Sequence, residues 1–237
     1  MKQPLLQVER LEISCREAGR TKPLVQNISF NLYKGEMTAL AGPSGCGKSV
    51  TAHAIAGMLS NNCVISNGYI CYEGQTITSG DEASWRKLRG REIALLIQHS
   101  INGLDPIRTV KKQMLETLNQ TKKRPKKEAA AYLYSLLEQV GFDEPEFILS
   151  AYPFELSGGM RQRVLLAMML SLEPKILIAD EPTTALDVIN KEKVLTLLKN
   201  LQYELGLTVL LISHDHDSID LFADHVIQMK EGGVPQK

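Results

Sequence analysis

The chain has 237 residues, 43% hydrophobic, 23% charged and 5% aromatic, enough to bury a substantial core as one large domain or two small ones. That composition excludes a solenoid, a disulfide-stapled miniprotein and wholesale disorder. Lysine plus arginine and aspartate plus glutamate each number 27, so no net basic field draws the protein to nucleic acid, and no nucleic-acid partner is expected.

Met1 to Gln7 carries no apolar signal core, and no apolar run, Val164 to Leu172 included, reaches the roughly 18 residues that cross a bilayer. Cys15, Cys46, Cys63 and Cys71 form no CxxC pair, which points to a cytosolic protein with reduced thiols and no structural zinc. Leu6, Val8, Leu11 and Ile13 are apolar in near alternation and Ile28 to Leu32 is a second run, an antiparallel opening. Met37 to Ala41 then ends in a glycine-rich turn and passes into a helix over Ser49 to Leu59, the start of a parallel α/β unit. Further strand segments follow near Tyr69 to Tyr72 and Ile93 to Gln98.

From 105 to 155 the pattern is helical, with Leu133, Leu136, Leu137 and Val140 recurring at three- and four-residue steps on one packed face. The basic run Lys122 to Lys127 surrounds a proline and reads as a solvated connector. A buried strand returns at Ile176 to Ala179, then a helix from about Lys191 to Leu205, a strand at Thr208 to Ile212 and a last strand at Val226 to Met229.

Gly42, Pro43, Ser44, Gly45, Cys46, Gly47, Lys48 and Ser49 match GxxxxGK[ST] between an expected strand and an expected helix, the context that a phosphate loop requires. Glycines let backbone N–H groups turn inward around phosphate oxygens, and the helix N-terminus adds its positive dipole. Lys48 supplies a point charge for the β- and γ-phosphates, and the Ser49 hydroxyl can ligate Mg²⁺. By itself this loop says nucleoside triphosphate and leaves kinases, GTPases and motors open. Cys46, at a helix N-terminus beside Lys48, reads either as an activated thiol or as an inert buried one.

Asp180 and Glu181 end an apolar strand, where a parallel sheet holds its ligands. Asp180 suits the Mg²⁺ shell, and Glu181 suits a base that orients and polarises an attacking water. Between the two motifs lies Leu156-Ser157-Gly158-Gly159-Met160-Arg161-Gln162-Arg163, then a helical run. An ordinary capped helix would explain Ser157 but not the glycine pair or the two arginines, so Ser157, Gly158, Gly159 and Met160 read as a second anion-binding helix start. Because the phosphate loop already satisfies its own nucleotide, this second device serves the nucleotide of a partner molecule.

With these motifs in place the chain resembles the ATP-binding-cassette ATPases over nearly its whole length. The resemblance implies an α/β fold. A P-loop NTPase core with a parallel central sheet (1–98 and 156–237) would carry an N-terminal antiparallel β subdomain and an inserted α-helical subdomain (99–155). It implies that Gln98 senses the γ-phosphate, Mg²⁺ and attacking water, that Asp187 contacts the opposite subunit and that His214 holds the γ-phosphate. Such ATPases use ATP and Mg²⁺. Members commonly place an aromatic near the end of the first strand to stack on adenine; here Cys15 falls there, with the guanidinium plane of Arg16 as a substitute.

The interval from Lys48 to Ser157 is too short for the long coiled coil of DNA-repair relatives, and one phosphate loop with one signature differs from tandem translation factors. The words Tyr152 to Arg163 and Ser100 to Pro106 are similar to the dipeptide, oligopeptide and nickel branch of bacterial importers. The chain stops at Lys237 without the extension common in peptide importers, so it is most similar to the nickel-import ATP-binding subunits. That resemblance implies a peripheral protein on the cytoplasmic face of the membrane. Its partners would be a second, non-identical cassette, two permease subunits that dock on the helical insertion, and an external solute-binding protein. Peptide import is the alternative; a regulatory cassette or an export ATPase is the reading from other classes. His53, His99, His214, His216 and His225 are scattered, and none is assigned to metal.

Overall fold

The computed structural model describes residues 2–17, 19–78, 82–97, 103–120, 124–184 and 188–230. Strands β1 (Leu6–Glu17) and β2 (Arg20–Leu32) form an antiparallel hairpin, and β4 (Cys63–Tyr72) pairs on the other side of β1, with the short β5 (Gln75–Thr76) at the edge. The near alternation of β1 has a physical source: its inward residues skip from Val8 to Leu11 because the ladder is irregular there, with Arg10 at φ 44°. Opposite, a Cβ on Gly68 would lie 2.2 Å from the Arg10 carbonyl oxygen, so only glycine fits. Arg20 to Gln26 and Cys63 to Asn67 have mostly exposed or half-buried side chains, so hydropathy gave β2 and β4 shorter bounds than the ladder does.

The second sheet is parallel, in the order β6 (Ile93–Leu96), β7 (Ile176–Asp180), β8 (Thr208–Ser213), β3 (Met37–Ala41) and β9 (His225–Gln228). Every residue of β3, β7 and β8 is buried, the signature of a parallel sheet covered on both faces. Along β8 the pleat sends Val209 and Leu211 into a core with α6 (Gly158–Leu170) and α7 (Val188–Leu205). Leu210 and Ile212 enter the opposite core with the β1–β2 hairpin and α1 (Lys48–Ile55). Truncating Leu210→Ala opens a cavity in that second core and is expected to cost about 2–5 kcal/mol, read as a lowered urea midpoint.

The helix α2 (Glu82–Leu88) had no hydropathy signal, because it buries no residue fully. Trp85 lies against Gly57, where a Cβ would meet its ring at 2.2 Å and where φ of 66° turns the chain out of α1. The region read as helical contains α3 (Val110–Leu118), α4 (Lys126–Gln139) and α5 (Pro145–Ser150), followed by a 3-10 turn at Pro153–Glu155. Leu133, Leu136, Leu137 and Val140 share one core with Val164 and Leu166 of α6. The Val110 N–H donates to the Ala151 carbonyl at 3.0 Å, closing α3 onto the segment before the 3-10 turn. Within the basic run, Arg124 departs from a solvated connector: it pairs with Glu173 at 2.8 Å and stacks over Tyr132 at 4.2 Å. A short α8 (His216–Phe222) precedes β9. No helix among the described residues is long and apolar enough to cross a membrane.

One expectation is corrected here. Cys15 and Cys63 face each other in register across β1 and β4 and are joined as a disulfide, while Cys46 and Cys71 are free. The sequence shows no paired spacing because the partners are brought together by strand register, not by proximity in the chain.

Candidate functional site

The loop between β3 and α1 turns on three glycines with positive φ: Gly42 (154°), Gly45 (82°) and Gly47 (102°). Two of them are also sterically required. A Cβ on Gly42 would lie 2.5 Å from the Met229 carbonyl oxygen, and one on Gly47 would lie 2.7 Å from a Val25 methyl and 2.9 Å from the Leu24 carbonyl oxygen. The β1–β2 hairpin and the end of β9 therefore clasp this loop from both sides. The Lys48 ammonium is buried and donates to the carbonyls of Gly42 and Pro43, each at 2.8 Å, and lies 4.0 Å from the Cys46 sulfur. Cys46 is itself 2% exposed, which shields its thiol.

One parallel strand, β7, separated from β3 only by β8, carries both acids to this loop. Asp180, the last residue of β7, accepts from the Ser49 hydroxyl at 3.1 Å, joining the strand end to the first turn of α1. Burial pushes its carboxyl above the ordinary range, against the opposing donation from Ser49 and the charge of Lys48. Two oxygen donors of this kind, side by side, are the hard ligands that Mg²⁺ takes. Glu181 follows at φ 47°, a left-handed backbone that swings its side chain out of the sheet. Its carboxylate accepts from the Thr184 hydroxyl at 2.8 Å on one oxygen and lies 3.2 Å from His214 Nδ1 on the other. Burial raises its pKa, but Thr184, His214 and the Lys48 charge outweigh it, and the group sits below the usual carboxylate range.

Part of this group lines one cavity of about 460 Å³, whose walls include Ser44, Gly45, Lys48, Ser49, Glu181 and His214, with Leu24 and Val50 as apolar lining, while Asp180 lies buried beneath Ser49. The arrangement can grip an anion and hold a carboxylate ready to polarise a water. Cys15 is not among the lining residues: it is 6% exposed and bonded to Cys63. Gln98 and Asp187 lie outside the described residues.

Ser157 is the N-cap of α6, its hydroxyl accepting from the Met160 N–H at 3.3 Å, and a Cβ on Gly159 would meet nothing within 4 Å. Ser157 is exposed, Gly158, Gly159 and Met160 are half-buried, and none of the four lines the cavity. Two supporting residues escaped sequence reasoning. Gln162, buried in α6, donates to the Pro182 carbonyl and ties the signature helix to the loop just past Glu181. Thr184 orients Glu181; its place three residues after an acid at a strand end was the available signal. Thr184→Val should lower turnover roughly fivefold, about 1 kcal/mol for one hydrogen bond. Because Thr184 lowers the Glu181 pKa, its loss should move the acid limb of the kcat profile to higher pH, read by a pH series on both proteins.

The family model described as ABC transporter matches residues 25–184. The chain belongs to this family and is an ATP-hydrolysing ABC ATPase. It is 42% identical to the oligopeptide transport ATP-binding protein AppD of Bacillus subtilis, over 97% of this chain and 70% of that protein. With the dipeptide transport ATP-binding protein DppD of the same organism it shares 40% identity, over 98% of this chain and 70% of that one. The peptidoglycan transport ATP-binding protein YejF of Agrobacterium fabrum is 42% identical over 98% of this chain, which spans only 43% of that relative. Among solved structures, the dimeric post-hydrolysis state of the ATP-binding cassette MJ0796 bound to ADP and Pi superposes with a TM-score of 0.83 at 26% identity, covering 98% of this chain and 97% of that one. The expected fold of a P-loop core, antiparallel β sheet and helical insertion is thus the fold of the cassette family.

Proposed function

We propose that this chain is the ATPase subunit of a bacterial importer that carries peptides across the membrane. The observation that supports the solute is the match over 97% or more of the chain to AppD and DppD, whose names speak of oligopeptide and dipeptide transport. The nickel reading rested on a resemblance of short words and on where the chain ends; the names of these relatives favour the peptide alternative, and peptide replaces nickel here.

In this reading the loop from Gly42 to Ser49 cradles the ATP phosphates, with Lys48 as countercharge. Ser49 and Asp180 are the residues that would hold Mg²⁺, whose charge neutralises the phosphate oxygens, and Gln98 would join them. Glu181, steadied by Thr184, orients and polarises the attacking water, and His214 holds the γ-phosphate. Ser157, Gly158, Gly159 and Met160 serve the nucleotide of a second cassette, which Asp187 contacts; the likeness to a dimeric cassette supports that pairing. Closure around two nucleotides and reopening after hydrolysis would drive two permease subunits fed by an external solute-binding protein. The chain would sit on the cytoplasmic face of the membrane.

A docking face is available on the helical insertion. Ile107 is 82% exposed and Phe154 69%, and Tyr152 and Phe154 stack at 5.5 Å, an exposed apolar group beside the α3 start. Apolar side chains held outward in this way suit a short permease helix. Affinity capture of the tagged chain should bring down two integral-membrane subunits, and Phe154→Asp should release them while ATP binding persists. Capture of no membrane protein would contradict the transport reading.

A further inference from the structure

The Cys15–Cys63 pair lies outside the chemistry above, yet the chain it encloses carries the whole phosphate loop. The two residues are 48 apart in sequence, and the segment between them contains β2, the whole phosphate loop and α1. They face each other in register at the ends of β1 and β4, with Cα atoms 4.0 Å apart. On its other side Cys15 pairs with Lys22 of β2, and the next positions of that ladder, Ser14 with Pro23 and Ile13 with Val25, flank Leu24. Leu24 lines the nucleotide cavity, and a Val25 methyl and the Leu24 carbonyl are the atoms that a side chain on Gly47 would meet. A bond between β1 and β4 at this point therefore fixes the end of the strand on which this part of β2 is paired.

We propose that Cys15 and Cys63 form a reversible thiol–disulfide site that sets the affinity of this chain for ATP. Cys63 is half-buried and Cys15 is 6% exposed, so the Cys63 sulfur is the one an incoming low-molecular-weight thiolate reaches. The Ser60 hydroxyl stands 3.2 Å from it and can donate to a sulfur anion there. In the reducing direction the thiolate attacks the Cys63 sulfur and forms a mixed disulfide, and the bond's electron pair leaves on Cys15, which takes a proton from water. A second thiolate displaces Cys63 from the mixed disulfide, Cys63 is protonated in turn, and one low-molecular-weight disulfide is released for two thiols consumed. The oxidising direction is the reverse, with that small disulfide as oxidant. Joined, the pair fixes the β1 end on which β2 is paired in the position that ATP requires; parted, the hairpin end is held only by its ladder, and binding must order it.

The inference rests on the ATP site alone, so a failure of the peptide assignment leaves it standing. The test takes the full chain through graded ratios of reduced and oxidised glutathione. Mass mapping of alkylated cysteines reports pairing, and ATP affinity is measured on the same samples. Cys15 and Cys63 should become protected together as the ratio turns oxidising, and ATP should bind about threefold to tenfold more tightly to the paired form. Cys63→Ser should keep the weaker affinity at every ratio, although Cys46 remains in its phosphate loop. Equal affinity of the paired and fully reduced chain would overturn the proposal. So would single capping of Cys63 by glutathione without pairing, or a redox response that persists in Cys63→Ser.

Discussion

Glu181→Gln is expected to reduce steady-state ATP hydrolysis by about 10²- to 10⁴-fold while leaving ATP affinity within a small factor of the parent, the span typical of losing a general base. The substitution is nearly isosteric. The amide oxygen can still accept from the Thr184 hydroxyl, and the amide NH₂ can face His214 Nδ1 with the proton roles reversed, so the cavity wall keeps its shape. What disappears is the negative charge, which the structure maintains with some effort: burial raises the carboxyl pKa, and Thr184, His214 and Lys48 together bring it below the ordinary range. A group so held is ionised at neutral pH and loses its charge only as the pH falls through its lowered pKa. Hydrolysis by the parent should accordingly decline on the acid side, and the variant should lack that limb. Single-turnover measurements that show unchanged hydrolysis with normal binding would remove Glu181 from its role.

Lys48→Ala acts at the other step and should weaken ATP binding itself. A charge-assisted hydrogen bond contributes about 1.5–3 kcal/mol, which corresponds to roughly 10- to 100-fold in Kd. The ammonium of Lys48 lies buried between the Gly42 and Pro43 carbonyls, aimed into the loop it is proposed to serve. Its removal takes the countercharge from the phosphates and also leaves those two carbonyls without their donor. The loss should therefore exceed that of a surface lysine contacting the same ligand. Lys48→Arg would not be a conservative rescue, because a planar guanidinium cannot occupy a pocket shaped for a compact ammonium. Isothermal titration with ATP distinguishes this variant from Glu181→Gln: one loses affinity, the other keeps it.

The site was legible wherever its chemistry is written in consecutive residues. The run from Gly42 to Ser49, the Asp180–Glu181 pair at a strand end and the Ser157–Met160 cap each carry their residue types at fixed spacing, and the elements around them stand near the positions that hydropathy gave. Contacts made by folding were not legible. The Thr184 hydroxyl matters only because Glu181 turns back at positive φ, and Gln162 reaches Pro182 only once α6 is packed against the sheet. Cys15 illustrates the limit well: its place along one strand marks where a stacking aromatic is missing, whereas its bonded neighbour is decided by the strand beside it. The bulge at Arg10 shifts the ladder before it reaches that end of β1, and the partner that results is Cys63. Hydropathy likewise missed α2, which buries no residue fully: Trp85 and Leu88 reach the core only in part and leave too short a period to read.

The central claim is that ATP turnover by this chain powers peptide uptake. Its most direct test is paired uptake of a labelled dipeptide and of labelled nickel in a strain lacking the chain, complemented with the parent or with Glu181→Gln. The account predicts that dipeptide uptake falls on deletion, returns with the parent and does not return with Glu181→Gln, while nickel uptake is unchanged throughout. Unaltered dipeptide uptake in the deletion strain, with a nickel defect that the parent restores, would contradict it.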